Sequence, residues 1–212
     1  MNRLTYLIDG FNLYHSLKDA QQDLGGISTR WLNLHSLFSM YTASIFGRGY
    51  QLEQILYFSA FATHRDKGKP GVVKRHKEYI ECLRSTGIKD IMGRFKPKWI
   101  TCHSCNSSNI HHEEKETDVA ISMMLLELFH FDACDTIVLV TGDTDLAPAV
   151  RTAKRIFPYK EIVFAFPYKR KNEELKKLVA TSFYIKKERY IDHQFPEIVT
   201  TQKGKITKLS NW

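Results

Sequence analysis

The amino-acid sequence predicts an α/β fold in which helices cover both faces of a mostly parallel central sheet. Short apolar segments, of the kind that parallel sheets bury, recur along the chain. Segments with helical periodicity separate them, and this alternation is typical of parallel sheets with helical crossovers. The length of 212 residues is enough for one domain with a three-layer core.

The first half of the chain begins with an apolar strand that ends at Asp9-Gly10. A second helix is predicted from apolar residues on one face, among them Trp31 and Leu34. A loop rich in Gly and Pro precedes a third helix, which Gly87 closes. The predicted strands are 4–8, 54–61 and 88–95, and the predicted helices are 12–22, 29–41 and 72–85.

The second half begins with a polar segment, residues 96–114, that predicts an irregular Cys/His insertion. Beyond it, helices are predicted at 115–131, 146–155 and 173–179, and strands at 136–140, 161–166 and 182–185. The polar stretch that follows lacks periodicity. We therefore expect a domain over residues 1–190 and a C-terminal tail over 191–212 that is mobile or packs on a neighbouring molecule.

The net charge of +8 favours a polyanionic partner, because basic side chains that meet phosphates release counterions. A solvated basic surface without a partner is the simpler alternative. No apolar run approaches the length of a membrane span, and the N-terminus lacks the apolar core of a signal peptide. We expect a cytoplasmic protein that binds nucleic acid and no membrane, and a homodimer stays open.

Carboxylates follow two of the predicted strands directly. Asp9 ends the first strand, and Asp143 and Asp145 follow the strand at 136–140. Because the carboxyl ends of parallel strands share one edge of a sheet, these side chains are predicted to converge there. Asp118 lies in the first turn of the helix that starts near residue 115 and can point at the same edge.

Carboxylates gathered at one edge repel one another, and a hard divalent cation removes that cost. Such a cation activates water and neutralises charge on a phosphodiester, so the pattern predicts a metal-dependent nuclease. Taken singly, each residue is equally well explained as a turn or helix-cap residue, because Asp is common at both places.

Three motifs carry a family resemblance. They read YLIDGFNLYHS from residue 6, EKETDVAIS from residue 114 and VLVTGDTDLAPAV from residue 138. In this order they resemble the motifs of NYN-domain proteins, of the PIN-like nuclease superfamily that includes the LabA-like (DUF88) group. The resemblance covers about residues 4–185.

The resemblance implies a Rossmann-like, three-layer α/β/α sandwich and an endoribonuclease that uses Mg²⁺ or Mn²⁺. It implies Asp9, Asp118 and Asp143 as metal ligands, Asp145 as a further acidic ligand and Asn12 as a catalytic residue that orients water or phosphate. Lys115 and Thr141 match family positions that lie outside the metal-ligand shell. This chain departs from the usual motif at Glu116, an extra carboxylate that we expect in solvent or outside the ligand shell.

The insertion contains a Cys-x-x-Cys pair, which is typical of zinc knuckles. The ligands that would complete a structural Zn²⁺ site are Cys102, Cys105, His111 and His112. The second pair lacks the usual spacing, so a polar loop with two thiols facing the substrate is the alternative.

Basic residues follow two strands at the same predicted edge, where they are expected to hold single-stranded or structured RNA. Phe95, Trp99 and Tyr168 lie among them and are candidates for stacking on bases, with a place in the apolar core as the alternative. The expected RNA contacts are Arg94, Lys96, Lys98, Lys169, Arg170 and Lys171.

Other function classes fit less well. A non-catalytic regulator that keeps the fold and binds RNA or a protein partner is the main alternative, although no acidic position is substituted. An aspartyl-phosphate phosphatase needs Asp-x-Asp after the first strand, and Phe11 occupies the second position. The single Gly10 in the first turn does not form a dinucleotide-binding Gly-x-Gly-x-x-Gly loop.

Overall fold

A seven-stranded sheet runs through the computed structural model, which describes residues 1–66, 68–101, 105 and 107–209. Its order is β4-β3-β2-β1-β5-β6-β7. Neighbouring strands are parallel except for β3 and β4. The strands are β1 Asn2–Asp9, β2 Tyr50–Ala60, β3 Lys89–Thr101, β4 Ser108–Lys115, β5 Thr136–Val140, β6 Glu161–Phe166 and β7 Thr181–Tyr184.

Helices lie on both faces of the sheet, which confirms the predicted α/β architecture. Alternate residues of β1 show this: Tyr6 and Ile8 join one apolar core, and Leu7 joins the other. The first core also contains residues of α1 to α3, and the second contains residues of α4 to α6. The helices are α1 Gly10–Asp23, α2 Leu34–Tyr41, α3 Val72–Ser85, α4 Thr117–His130, α5 Ala147–Ile156, α6 Glu173–Leu178 and α7 Lys187–Asp192.

Helix α2 begins five residues later than predicted. Asn33 caps it, because its side chain accepts a hydrogen bond from the Ser36 backbone N–H at 3.0 Å. Trp31 precedes the helix and is fully buried, as is Leu32, which forms an isolated bridge with Gln194. The apolar residues before Asn33 thus pack on the C-terminal segment. Their spacing resembles helical periodicity, although it reflects this long-range contact.

The prediction of an irregular insertion at 96–114 is wrong for the described residues. Strand β3 continues to Thr101 and pairs with antiparallel β4, from Arg94 opposite Lys115 to Thr101 opposite Ser108. Both faces of the outer half of this hairpin are exposed, so its strands contain polar residues on both sides. They lack the alternating pattern that marks a half-buried strand.

The segment expected as a C-terminal tail also packs on the domain. After α7 it forms a hairpin of β8 Ile198–Thr201 and β9 Gly204–Thr207 beside α3. Val199 and Phe195 are buried in the first apolar core. The prediction of a separate tail from residue 191 is therefore wrong up to residue 209, and residues 210–212 lie outside the described part of the chain.

None of the described helices combines the length and apolar character needed to cross a bilayer.

Candidate metal centre

Three carboxylates converge at the carboxyl edge of the sheet. Asp9 ends β1, Asp143 follows β5, and Asp118 lies in the first turn of α4. One oxygen of each lies within 4.8 Å of the corresponding oxygens of the other two. Strands β1 and β5 are parallel neighbours, so their ends meet as the sequence predicted.

Asp9 is both a helix cap and a member of this cluster. Its Oδ1 accepts hydrogen bonds from the backbone N–H groups of Phe11, at 3.1 Å, and Asn12, at 2.9 Å. Its Oδ2 accepts a hydrogen bond from the Thr141 hydroxyl at 2.9 Å. The side chain is buried, and burial raises its pKa above the ordinary value. The capping and acidic-cluster interpretations are thus compatible.

The loop after β5 is held against α1 by polar contacts. The Gly142 N–H donates to Asn12 Oδ1 at 3.1 Å, and the Asp143 N–H donates to Thr141 Oγ1 at 3.1 Å. Asp143 Oδ1 accepts from the Asp145 N–H at 3.0 Å and caps the following 3-10 turn. Asn12 and Thr141 therefore position the carboxylates, and Asn12 Oδ1 is engaged in that contact.

Gly142 has no room for a side chain. A Cβ atom there would lie 2.0 Å from the carbonyl oxygen of Arg170. The loop after β6 thus packs directly on the loop that carries Asp143, so the glycine of this motif is required by close backbone approach.

Asp118 shows the electrostatic cost of the cluster. Its pKa is raised to about 6, first by burial and then by the charges of Asp143, Asp9, Glu114 and Asp145. The protein therefore holds carboxylates in a place that disfavours their negative charge.

Glu114 is a fourth acidic neighbour that sequence reasoning missed. It is partly buried near the end of β4, and the Thr117 hydroxyl donates to its Oε1. Burial is the main cause of its raised pKa, and the charges of Asp9 and Asp143 add to it. Its position depends on the β3–β4 hairpin, so only a correct strand prediction for 108–115 would have found it.

Two other acidic candidates lie outside this group. The Asp145 side chain is exposed and is not among the three that offer oxygens within 4.8 Å of one another. Glu116 is exposed, with a φ of 82°, and accepts a hydrogen bond from Arg94 Nε at 2.6 Å. Lys115 is exposed and pairs with Glu113 at 2.9 Å.

The cluster of Asp9, Asp118 and Asp143 fits a hard divalent cation. All three donors are carboxylate oxygens, the ligands that Mg²⁺ and Mn²⁺ prefer. Oxygens that bind one Mg²⁺ at 2.0–2.1 Å lie at most about 4.2 Å apart. The three carboxylate oxygens lie within 4.8 Å of one another, which is close to that spacing.

The predicted RNA contacts lie on both sides of this centre. Arg94, Lys96 and Lys98 are on the β3–β4 hairpin, and Lys169 to Lys171 follow β6. Most form ion pairs with carboxylates whose side chains are 26–60% exposed, and pairs at this exposure contribute little stability. These pairs are Arg94–Glu116, Lys98–Glu113, Lys169–Asp23, Arg170–Asp19 and Lys171–Glu173.

The predicted zinc ligands do not all converge. His111 and His112 are adjacent on β4, and adjacent strand residues point to opposite faces. His112 stacks on His64 with ring centroids 4.1 Å apart. The two histidines therefore cannot both reach an ion at Cys105, whose sulfur lies 3.0 Å from Ser107 Oγ. Cys102 lies outside the described residues, so a site that includes it stays a prediction.

Replacing Asp118 with Asn should stabilise the metal-free protein at neutral pH. A carboxyl whose pKa is about 6 in the folded chain, against an ordinary value of 3.8, binds more protons when folded, so stability falls as pH rises between these values. Removing the charge should restore about 1 kcal/mol above pH 6, after allowance for solvent screening.

Thermal unfolding at pH 4.5 and pH 7.5 with EDTA measures this effect. The melting temperature of Asp118→Asn should exceed that of the parent at pH 7.5 by about 3 °C, and the difference should shrink at pH 4.5. A variant less stable than the parent at pH 7.5 would show that burial and the neighbouring charges do not make the Asp118 carboxylate destabilising.

Comparison with known proteins finds a matching family model and similar solved structures. The family model of the NYN domain matches residues 3–186. A crystal structure of a protein of unknown function from Vibrio parahaemolyticus is similar over 92% of this chain and 96% of that chain, with a TM-score of 0.58 and 15% identity. At this identity the likeness concerns the fold alone. The curated proteins contain no match.

Proposed function

Because this chain belongs to the NYN-domain family of PIN-like nucleases, we propose that it is an endoribonuclease that depends on Mg²⁺ or Mn²⁺. The observation that carries the proposal is the carboxylate cluster of Asp9, Asp118 and Asp143, with oxygens within 4.8 Å of one another. The cluster lies at the carboxyl edge of the sheet, where open α/β sheets bind ligands.

The three aspartates would hold the cation. When bound, the cation supplies an activated water and positive charge at the scissile phosphate. Asn12 and Thr141 keep Asp9 and Asp143 in place through the contacts to Gly142 N and Asp9 Oδ2. The charges of Asp145 and Glu114 act on the cluster, and these two side chains would orient water around the cation.

Hydrolysis in this arrangement needs no protein nucleophile. The expected products carry a 5′-phosphate and a 3′-hydroxyl. The raised pKa of Asp118, at about 6, implies that its carboxyl must lose a proton before it binds a cation. Cation affinity should therefore fall as the pH drops below that value.

The substrate is proposed to be single-stranded or structured RNA. The net charge of +8 and the basic residues on both sides of the cluster support a polyanion that crosses the edge of the sheet. Exposed Trp99 on the β3–β4 hairpin offers a ring face to an unpaired base.

A regulator that binds RNA without cutting it is the second candidate. The partly exposed ion pairs at the predicted RNA contacts are consistent with binding alone. The convergence of three carboxylates disfavours it, because a protein that only binds a polyanion gains nothing from negative charges gathered where the substrate lies.

Cleavage of end-labelled RNA tests the proposal. A panel of single-stranded RNA, hairpin RNA and single-stranded DNA is incubated with Mg²⁺, Mn²⁺ or EDTA, and product ends are identified by their response to phosphatase and ligase. We expect internal cuts in RNA with either cation and none with EDTA. Binding of RNA without cleavage under any of these conditions would favour the regulator.

A further inference from the structure

A cleft of about 280 Å³ lies beside the ends of β6 and β7. We call it the β6–β7 cleft. Four lysines and two tyrosines line it, together with Pro167, Ile185 and Glu188. The lysines are Lys169, Lys171, Lys186 and Lys187, and the tyrosines are Tyr168 and Tyr184.

The lining combines aromatic rings with lysine ammonium groups. Lys169 Nζ and Lys187 Nζ lie 5.6 and 5.8 Å from the centre of the Tyr168 ring. Lys171 Nζ lies 5.3 Å from the centre of the Tyr184 ring. Tyr184 is 41% exposed, and Phe166 stacks beside it with ring centroids 5.7 Å apart. An aromatic surface supported from below in this way suits a planar ligand.

The positive charge of the cleft is only partly neutralised. Lys169 pairs with Asp23 and Lys171 pairs with Glu173, and both lysines are about half exposed. Within the described part of the chain, Lys186 has no carboxylate at ion-pair distance, and Lys187 donates to the backbone carbonyl of Asp23 at 3.3 Å. The cleft thus offers cations to an anion at little cost in broken ion pairs.

The cleft is joined to the acidic cluster through one loop. Residues 167–172 connect the cleft to Asn172, whose Nδ2 donates to the Gly142 carbonyl at 3.4 Å. The Arg170 backbone packs against Gly142, next to Asp143. Strand β6 is also the direct neighbour of β5, and Asp143 lies in the loop that follows β5. A single-stranded nucleic acid bound at the acidic cluster would therefore reach the β6–β7 cleft as it continues along the carboxyl edge of the sheet.

We propose that the β6–β7 cleft binds one nucleotide of a single-stranded RNA substrate, with the base on Tyr184 and a flanking phosphate at Lys186 and Lys187. The inference rests on the proposed function, because it uses the acidic cluster as the cutting site. The Lys171 ammonium leaves the Tyr184 ring for a phosphate oxygen when a base takes its place. Stacking of this kind accepts any base, so the cleft adds affinity without sequence preference.

Binding without cleavage tests the cleft separately from the cutting site. Fluorescence anisotropy of a fluorescein-labelled, ten-nucleotide single-stranded RNA is measured in EDTA, so that the result does not depend on activity. Tyr184→Ala should weaken binding by about 10-fold, and Tyr184→Phe should retain it, because the ring alone stacks. Tyr159→Ala, at a 99% exposed tyrosine after α5, is the matched control and should bind like the parent.

The salt dependence tests the cationic part of the cleft. Lys186→Ala should weaken binding and lower the slope of log Kd against log salt by about one, and Lys205→Ala on β9 should leave that slope unchanged. Equal binding by Tyr184→Ala and the parent would overturn the inference. A free mononucleotide that binds as tightly as the oligonucleotide would also overturn it, because the cleft would then serve a small ligand.

Failure of the cleft and failure of the proposed function give different results. If the chain cuts RNA in Mn²⁺ but Tyr184→Ala binds normally, only the cleft assignment is lost. If the chain does not cut RNA in Mn²⁺, the nuclease assignment is lost whatever the binding data show.

Discussion

Replacing Asp143 with Asn should reduce metal-dependent RNA cleavage by about 10²- to 10³-fold. Asn has nearly the same size as Asp, and its Oδ1 keeps the hydrogen bond from the Asp145 N–H that caps the 3-10 turn. The change therefore removes one negative charge from the cluster and leaves the local backbone in place. Loss of a charged oxygen ligand weakens the hold of the remaining two aspartates on the cation.

Two measurements separate the effect on the cation from an effect on folding. Initial cleavage rates are measured over a range of Mn²⁺ concentrations, and the melting temperature is measured with and without Mn²⁺. The parent should melt higher with Mn²⁺, because a ligand that binds the folded state stabilises it. Asp143→Asn should lose most of that increase while its melting temperature in EDTA stays equal or rises.

The matched control is Asp192→Asn. Asp192 is a half-exposed aspartate on α7 that pairs with Arg189 at 3.2 Å, away from the acidic cluster. Its replacement should leave both cleavage and the Mn²⁺ response unchanged. Cleavage by purified Asp143→Asn at the rate of this control would contradict the metal centre.

Replacing Trp31 with Ala should lower the free energy of unfolding by about 3–5 kcal/mol. Trp31 is fully buried beside Tyr79 of α3 and the C-terminal segment, and its Nε1 donates to the Pro196 carbonyl at 2.9 Å. Its ring lies 5.8 Å from that of Phe195, and the Phe195 N–H donates to the Trp31 carbonyl at 2.8 Å. Truncation leaves a cavity and an unpaired carbonyl at the place where residues 193–199 join the core.

Urea unfolding followed by circular dichroism measures this loss. Trp99→Ala makes the same chemical change at a residue that is 68% exposed, so it should shift the stability by less than about 0.5 kcal/mol. Limited proteolysis should cut Trp31→Ala first within residues 193–207, because those residues lose their anchor. Equal stability of the two variants would show that the C-terminal segment does not depend on Trp31.

The convergence of Asp9 and Asp143 was predictable because it follows from chain direction. The strand at 136–140 is a run of five apolar or β-branched residues, and the structure has it with the same bounds. Strand 161–166 and helix 72–85 also keep their predicted bounds. In each case the local pattern matches the periodicity of its element and flanking turn residues end it. Parallel neighbours then bring their last residues to one edge.

The β3–β4 hairpin and the C-terminal segment were not predictable from local patterns. In the outer hairpin the strands expose both faces, so polar residues occur on both, and the predicted strand ended six residues early at Phe95 instead of Thr101. Glu114 joins the acidic neighbourhood only because that hairpin returns to the edge. Residues 195–207 contain few apolar side chains, and Phe195 and Val199 are buried by partners more than 100 residues away.

The sequence by itself determined the chain direction, the buried strands and the two aspartates, Asp9 and Asp143, that end or follow them, because each depends on a short stretch of residues. The tertiary structure alone decided which basic and aromatic side chains share a cleft. Tyr168 and Tyr184 lie on different elements, and Lys186 reaches the same cleft from the start of α7. Their proximity depends on how β6, β7 and α7 pack, which no local periodicity encodes.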